Sequence, residues 1–157
     1  MKIAFVGGGT GGHFYPHIAV AEALEDITEE RRLLMPSLYY LGPAPFDPEP
    51  LADHAIEHVY IPAGKLRRYG GILNVLDSVI ATLGALRAVP ALYALFPDVI
   101  FSTGGYAAFP ALFAAKLLHI PVVIYDADAK PGRVSLWSAR FAKNIAVAHP
   151  EASMAFP

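Results

Sequence analysis

The chain has 157 residues, of which 55% are hydrophobic and 17% charged, and its formal net charge is −2. This length predicts one α/β domain, and the apolar content excludes an intrinsically disordered chain. Without a basic excess the chain is not expected to bind nucleic acid, because that binding depends on neutralising phosphates. The absence of cysteine excludes disulfides, a thiol nucleophile and a Cys-ligated metal.

No part of the sequence resembles a signal peptide or a transmembrane helix. The first apolar run, residues 1–6, leads straight into glycines and is too short for a secretory signal. The most apolar stretch, residues 110–125, is interrupted by Lys116, His119 and Pro121, whereas a spanning helix needs about 20 apolar residues. We therefore expect a cytoplasmic protein that does not span a membrane.

Short apolar runs alternate with helical patterns along the chain, which predicts a parallel sheet with crossover helices. Strands are predicted at residues 2–6, 38–41, 58–61, 99–102, 122–125 and 145–148. Helices are predicted at residues 16–26, 72–89, 109–119 and 132–142. The proline-rich segment 42–51 is predicted to be a loop. The fold class is therefore α/β, with a Rossmann-like, doubly wound parallel sheet.

Three further expectations concern particular segments. Pro16 is expected in a first helical turn, where its missing N–H costs nothing. The second helix is expected to face the core with one apolar stripe, formed by Ile72, Leu76, Val79, Ile80, Leu83 and Leu86. The tail, residues 151–157, is expected to have no structure of its own.

A run of glycines lies between the first strand and the first helix, and it reads Gly7-Gly8-Gly9-Thr10-Gly11-Gly12-His13. Glycines allow a ligand close to the backbone, and a helix N-terminus attracts phosphate or diphosphate. The alternative is a tight turn without a ligand. Gly7, Gly9 and Gly12 also satisfy the dinucleotide pattern G-x-G-x-x-G, but the second strand ends without the carboxylate that would hold a ribose. An NAD-binding oxidoreductase domain is therefore disfavoured.

A second glycine turn follows the fourth strand and reads Ser102-Thr103-Gly104-Gly105-Tyr106. In a doubly wound sheet the first and fourth strands are neighbours at the topological switch point. Both glycine loops are then expected to open into one crevice. We expect a diphosphate to lie there between two helix N-termini.

Two further groups at this edge of the sheet carry candidate chemistry. His13 closes the first loop, where a neutral imidazole can accept a proton from a hydroxyl nucleophile. Asp126 and Asp128 follow the fifth strand and could bind sugar hydroxyls or orient a base. The alternatives are that Asp128 caps a helix and that the two carboxylates bind Mg²⁺, although a lone D-x-D pattern is a weak metal signal. The other histidines have no ligand spacing and are assigned no function.

These motifs resemble those of the MurG family of glycosyltransferases. The first glycine run with Pro16 resembles the opening motif of that family, and residues 102–106 resemble its second glycine loop. Residues 120–124 are similar to the strand before its third motif, and residues 139–143 to the helix after it. The third motif usually reads His-Glu-Gln-Asn, whereas the matching positions here are Tyr125-Asp126-Ala127-Asp128. The resemblance covers residues 1–150 and is weakest over residues 25–69.

The resemblance implies a GT-B fold, with an active site between two Rossmann-like domains. Residues 1–150 would be the N-terminal, acceptor-binding domain, and residues 151–157 the start of the connection to an absent donor-binding domain. The implied enzyme is an inverting hexosyltransferase, which transfers N-acetylglucosamine from UDP-N-acetylglucosamine to lipid I and forms lipid II for peptidoglycan. The reaction would need neither metal nor cofactor, and the fragment alone is expected to bind without turnover.

By the same resemblance His13 is the first candidate for the catalytic base, with Asp126 as the second. The diphosphate and sugar would be bound by Thr10, Gly11, Gly12, His13, Gly104, Gly105, Tyr106 and Asp128. An open alternative is a membrane-associated subunit of a split transferase that acts on another lipid-linked sugar.

A lipid-linked acceptor places the enzyme at the inner face of the cell membrane. The basic residues Lys65, Arg67 and Arg68 alternate with apolar Leu66 and precede a helix that carries Leu73 and Val75. This pattern suits peripheral binding to anionic lipid. The alternative is a core-packed helix preceded by solvated basic residues.

Overall fold

The structure, a computed structural model, describes residues 1–64 and 72–156, with the backbone alone for residues 72–78. Six strands form one sheet: β1 (Lys2–Val6), β2 (Ser37–Gly42), β3 (Glu57–Tyr60), β4 (Val99–Ser102), β5 (Val122–Asp126) and β6 (Asn144–Val147). Every pairing is parallel, and the order is β3-β2-β1-β4-β5-β6. This is the strand order of the Rossmann fold. The predicted fold class and all six predicted strands are confirmed.

Within the described residues, five α-helices connect the strands: α1 (Gly11–Glu30), α2 (Glu49–Asp53), α3 (Ile72–Leu95), α4 (Phe109–Leu117) and α5 (Arg133–Ser138). Short 3-10 helices span Tyr106–Ala108 and Pro150–Ala155. The four predicted helices all occur, but α2 begins inside the segment 42–51, which was predicted to be a loop. The prolines of this segment indicated a loop. Pro48 and Pro50 instead stand at the beginning of α2, where proline is tolerated.

The first helix begins five residues earlier than predicted. Thr10 is its N-cap, in extended conformation, and Gly11 and Gly12 form its first turn. Pro16 therefore lies inside the helix rather than in its first turn. Because proline has no N–H, the carbonyl of Gly12 lacks the intrahelical bond that residue 16 would otherwise supply.

The core lies on both faces of the sheet. On one face, Ala4 and Val6 of β1 pack with the helices α3 and α4 through residues such as Ala88 and Leu112. The opposite face of β1 packs against α1 through Ile3, Phe5, Phe14, Ile18 and Tyr40. The alternation along β1 follows from the two-residue period of a strand.

The predicted core stripe of α3 is wrong at Val79, Leu83 and Leu86, whereas Ile80 is half-buried. Val79, Leu83 and Leu86 are 50%, 55% and 67% exposed, and the side chains of Ile72 and Leu76 lie outside the described residues. The helix instead turns Gly84, Ala88 and Leu92 inward. A Cβ on Gly84 would collide with the carbonyl of Pro62. The backbone thus approaches more closely than a stripe of leucines would permit.

The C-terminal tail is structured, contrary to expectation. Within the 3-10 helix Pro150–Ala155 the side chain of Ala152 is fully buried, and the partly buried Phe156 packs against the core. Among residues 1–64 and 72–156, no helix is both long enough and apolar enough to cross a bilayer.

Candidate functional site

The two glycine loops leave the sheet side by side. Val6 at the end of β1 pairs with Ser102 at the end of β4, so the predicted neighbourhood of these strands is confirmed. Both loops then run through left-handed backbone, with φ of 111° at Gly8, 77° at Gly104 and 75° at Gly105. Residues with a Cβ rarely adopt such angles.

Close packing requires the first three glycines. A Cβ on Gly7 would collide with Oγ1 of Thr103, and one on Gly8 with Oη of Tyr40. On Gly9 it would lie 2.8 Å from Cε1 of Tyr106. Each contact joins the first loop to another part of the fold, two of them to the second glycine loop. These glycines are therefore explained by the protein's own packing.

Gly12 differs from the glycines before it. A Cβ on this residue would meet no heavy atom within 4 Å, and Gly12 is exposed in the first turn of α1. Glycine there is unfavourable for the helix by about 0.5–1 kcal/mol relative to alanine. Nothing in the described protein requires it, so the open space is suited to a ligand.

Thr103 binds the second loop to the start of α1. Its N–H donates to the carbonyl of Val6 at 3.1 Å, and its hydroxyl donates to the carbonyl of His13 at 2.6 Å. Its own carbonyl accepts a hydrogen bond from Nδ1 of His13 at 2.8 Å. Three bonds of one residue thus fix both loops and the helix start in a single unit.

These bonds define the chemical state of the His13 ring. A carbonyl oxygen only accepts, so Nδ1 of His13 carries the proton. In the neutral ring Nε2 then has a free lone pair. Nε2 lies 3.6 Å from the point where a Cβ on Gly105 would stand, and His13 is half-buried at the rim of the loops. This geometry suits a general base.

Tyr40 supports the first loop from below and was not identified from the sequence. Its side chain is fully buried, and its hydroxyl donates to the carbonyl of Gly7 at 2.8 Å. Burial raises the pKa of Tyr40 to about 12, with a smaller contribution from Tyr106. A tyrosine in an otherwise apolar strand looks like ordinary core, so the pattern gave no signal of this contact.

The helices next to the site begin without side-chain caps. Thr10 is the N-cap of α1, but its hydroxyl makes no capping bond. The N-caps of the 3-10 helix before α4 and of α5 are Gly105 and Gly132, which have no side chain. The first N–H groups of a helix lack intrahelical partners. Together with the partial positive charge of a helix start, they favour an anion.

The aspartates after β5 have different environments. Asp126 is buried, and its Oδ1 accepts a hydrogen bond from the N–H of Asp128 at 3.0 Å. Asp128 is exposed. The alternative that Asp128 caps a helix is wrong, because α5 begins at Arg133 with Gly132 as its N-cap. The buried carboxylate of Asp126 thus holds its own turn.

The predicted membrane-contact residues cannot be placed. Lys65, Leu66, Arg67 and Arg68 lie outside the described residues, as do the side chains of Leu73 and Val75, whose backbone belongs to α3. In the described part of the chain, no group of three or more His, Asp or Glu side chains is arranged to hold a metal ion.

A groove of about 800 Å³ leads away from the first glycine loop along α1. It starts at Gly11 and Gly12 and runs between Tyr15 on the helix and the rings of Phe101 and Tyr125 on the sheet. The two sheet rings are stacked, with centroids 6.4 Å apart. The groove is largely apolar, so an extended ligand at the helix start would meet apolar surface next to it.

Fold and site together define a Rossmann-like domain whose paired glycine loops and uncapped helices suit a phosphorylated ligand. The family model described as the glycosyltransferase family 28 N-terminal domain matches residues 3–147. The chain therefore belongs to this family of glycosyltransferase domains.

The most informative relatives are bacterial enzymes. A protein of Treponema pallidum is 38% identical over 156 residues, which are 99% of this chain and 39% of the relative. One of Treponema denticola is 35% identical over an alignment of 158 positions, which covers 99% of this chain and 40% of the relative. Both are named UDP-N-acetylglucosamine--N-acetylmuramyl-(pentapeptide) pyrophosphoryl-undecaprenol N-acetylglucosamine transferase. The chain thus spans about two fifths of the length of these curated relatives.

The crystal structure of Acinetobacter baumannii MurG matches with a TM-score of 0.78 and 28% identity. The match covers 99% of this chain and 43% of that one. The fold is therefore that of the N-terminal half of a GT-B glycosyltransferase.

Proposed function

We propose that the chain is the acceptor-binding part of a MurG-type transferase. The whole enzyme would be a hexosyltransferase that moves N-acetylglucosamine from UDP-N-acetylglucosamine to lipid I. Both substrates of this proposal are the ones that the names of the relatives give. The observation that carries the proposal is the open helix start at Gly12, beside the bare Nε2 of His13. An anion at the helix start would place the attached sugar near that nitrogen.

In this proposal the diphosphate of the acceptor binds the uncapped N–H groups at Thr10–Gly12 and the N–H of Gly105, whereas the N–H of Gly104 beside them already donates to Oγ of Ser102 at 3.1 Å. Nε2 of His13 accepts the proton of the acceptor hydroxyl as that oxygen attacks the anomeric carbon of the donor sugar, whose bond to UDP breaks so that UDP leaves. The UDP-sugar binds to the remainder of the enzyme. Tyr106 and the turn of Asp128 would contact the acceptor sugar. Holding both reactants in line supplies much of the rate acceleration in such transfers.

The acceptor of this proposal carries a lipid, so the domain should meet a membrane surface. A second apolar groove, of about 650 Å³, separates α3 from α4 and includes Leu86, Phe113 and Leu117. All three are exposed apolar residues. The exposed cations Arg87 and Lys116 lie on the same two helices. Apolar side chains with cations nearby suit peripheral binding to anionic lipid at the inner face of the membrane.

The acceptor site is tested by calorimetric titration with a short-chain lipid I analogue. The analogue should bind, whereas NAD and UDP-N-acetylglucosamine should not. Gly12→Ala should weaken binding about tenfold or more, or roughly 1.4 kcal/mol, because a methyl group would fill the ligand's space. The same variant should fold at least as stably, because alanine favours a helix by about 0.5–1 kcal/mol.

The matched control is Glu29→Ala, at the other end of α1, which should leave the affinity unchanged. If NAD or the sugar nucleotide bound instead of the analogue, the first loop would be a nucleotide site. If Gly12→Ala bound the analogue as well as the parent does, the helix start would not be the contact.

A further inference from the structure

One buried polar side chain beneath the loops has no role in the proposed reaction. His17 is fully buried, four residues after His13 on α1. Aromatic rings surround it at centroid distances of 5.4, 5.8 and 5.9 Å, namely those of Phe5, Tyr40 and Phe101. Burial lowers the pKa of His17 to about 3; the Val6 carbonyl partly offsets this shift and His13 adds slightly to it. The imidazole is therefore neutral at physiological pH.

Its hydrogen bonds define which ring nitrogen carries the proton. Nε2 of His17 lies 3.3 Å from Oγ1 of Thr103. Nδ1 is buried and makes no hydrogen bond in the described part of the chain, although the Val6 carbonyl lies close enough to the ring to raise the pKa of His17. A buried N–H without an acceptor is rarer in proteins than an unused acceptor. The proton of His17 therefore belongs on Nε2, and Nε2 donates to the hydroxyl oxygen of Thr103.

The direction of this bond determines the next one. Thr103 has a single hydroxyl proton, and its oxygen already accepts from His17. That proton is thus directed to the carbonyl of His13, at 2.6 Å. The return bond runs from Nδ1 of His13 to the carbonyl of Thr103, at 2.8 Å. The ring of His17 thus donates to the hydroxyl of Thr103, this hydroxyl donates to the carbonyl of His13, and the ring of His13 donates to the carbonyl of Thr103.

We propose that His17 is a positioning residue for His13 and acts through Thr103. By donating from Nε2, it prevents the Thr103 hydroxyl from turning inward and keeps that hydroxyl bonded to the His13 backbone. The ring of His13 then stays in the tautomer with a proton on Nδ1 and a bare Nε2 at the crevice. The inference rests on the proposed role of His13 as the base and adds the group that orients it.

Two substitutions separate the donor from the bulk of the side chain. His17→Gln keeps an N–H donor at the end of a side chain of similar reach. His17→Met fills the cavity with an apolar chain and removes the donor. Thr103→Val removes the hydroxyl instead and should reproduce the defect of His17→Met, so the inference can be tested even if one variant does not fold.

The measurement is nitrogen-15 NMR of the histidine rings in the intact chain, with its folding checked in each variant by amide spectra. In the parent and in His17→Gln, His13 should show one tautomer, protonated on Nδ1. In His17→Met and Thr103→Val, the His13 signals should move towards the average of both tautomers. In His17→Met, the Thr103 hydroxyl proton should also exchange with water about tenfold faster or more, because a looser local structure opens more often.

An unchanged His13 tautomer in folded His17→Met or Thr103→Val would overturn the inference, as would a His17→Gln variant that behaves like His17→Met. The readout requires neither ligand nor catalysis. A failed titration with the lipid I analogue would therefore count against the proposed function alone, and an unchanged tautomer against the positioning role alone.

Discussion

Gly7 and Gly12 belong to the same run of glycines, yet they stand in different surroundings. A Cβ on Gly7 would collide with Thr103, whereas a Cβ on Gly12 would meet nothing within 4 Å. The sequence predicts a ligand loop from the number of glycines. Only the structure separates the glycines that the fold needs from the one that leaves room for a ligand.

The relation between His13 and His17 was missed for a physical reason. Residues four apart face the same side of a helix, but only if both belong to the helix. The sequence predicts a start at Pro16, which leaves His13 in a loop. Since α1 begins at Gly11, the two rings share a face and both reach Thr103. A helix start placed at Thr10 would have revealed the pair.

At this scale we predict that His17 makes the domain sensitive to acid. Its pKa of about 3 in the folded state lies below the ordinary 6.5, so below pH 6.5 the unfolded chain takes up a proton that the folded chain excludes. The stabilisation from neutral His17 is complete above pH 6.5 and is lost as the pH falls towards 3. Between pH 7 and pH 5 this residue should account for a loss of about 2 kcal/mol.

Urea unfolding of the parent and of His17→Gln at both pH values measures this difference. The glutamine variant does not titrate, so its free energy of unfolding should fall by about 2 kcal/mol less over the same interval. Equal pH dependence in the two proteins would mean that His17 also takes up a proton when folded.

At the scale of elements, the helix ends were harder to predict than the strands. Three helices end in the Schellman motif, with the left-handed residue Arg32 after α1, Ala55 after α2 and His119 after α4. After α2, for example, the N–H of Ile56 donates to the carbonyl of Leu51 at 2.8 Å. Glycine is the usual residue at this position. Because none of the three is glycine, the sequence carries no stop signal at these ends.

Ala55→Gly should therefore stabilise the domain. Alanine at φ 51° costs about 1–2 kcal/mol in the left-handed region, and part of this relief is offset by the freer unfolded chain. We expect a net gain of about 0.5–1 kcal/mol in the free energy of unfolding, measured by urea titration. Ala52→Gly, within α2, is the matched control and should instead lose about 1 kcal/mol. A loss in both variants would contradict the strain at Ala55.

For the whole molecule, the sheet was predictable because its strands are short apolar runs separated by clear turns. The crossover rules for doubly wound sheets then predict that β1 and β4 are neighbours and that their loops meet. The exposed face of α3 could not be predicted in this way. Its apolar residues satisfy a core pattern, and nothing local shows that Gly84 brings the backbone against Pro62.

The apolar surface of α3 and α4 gives a prediction about membrane contact. Leu86→Glu should weaken binding to vesicles that contain anionic phospholipid by severalfold, because it places a charge in the groove beside α4. Lys65→Glu with Arg68→Glu should weaken it further at low salt. Co-sedimentation with vesicles measures both effects.

The control for the added charge is Leu34→Glu, at a residue that is 96% exposed after α1. It adds the same charge outside the proposed contact face and should leave binding nearly unchanged. Equal loss in Leu34→Glu and Leu86→Glu would show that the effect is net charge alone.

The close approach of α3 to Pro62 also limits how this surface can evolve. Leu86 and Leu117 are exposed in this groove, so a change of either should affect folding less than a change in the core. Gly84 has no such freedom, because even a methyl group would collide with the carbonyl of Pro62, in the segment after β3. Ala88 and Leu92, on the same face of the helix, are fully buried in the core, so a shift of the helix at Gly84 would disturb their packing as well. The position of α3, and with it the shape of this outer face, therefore depends on the glycine at residue 84. The exposed side chains around it can differ without changing that position.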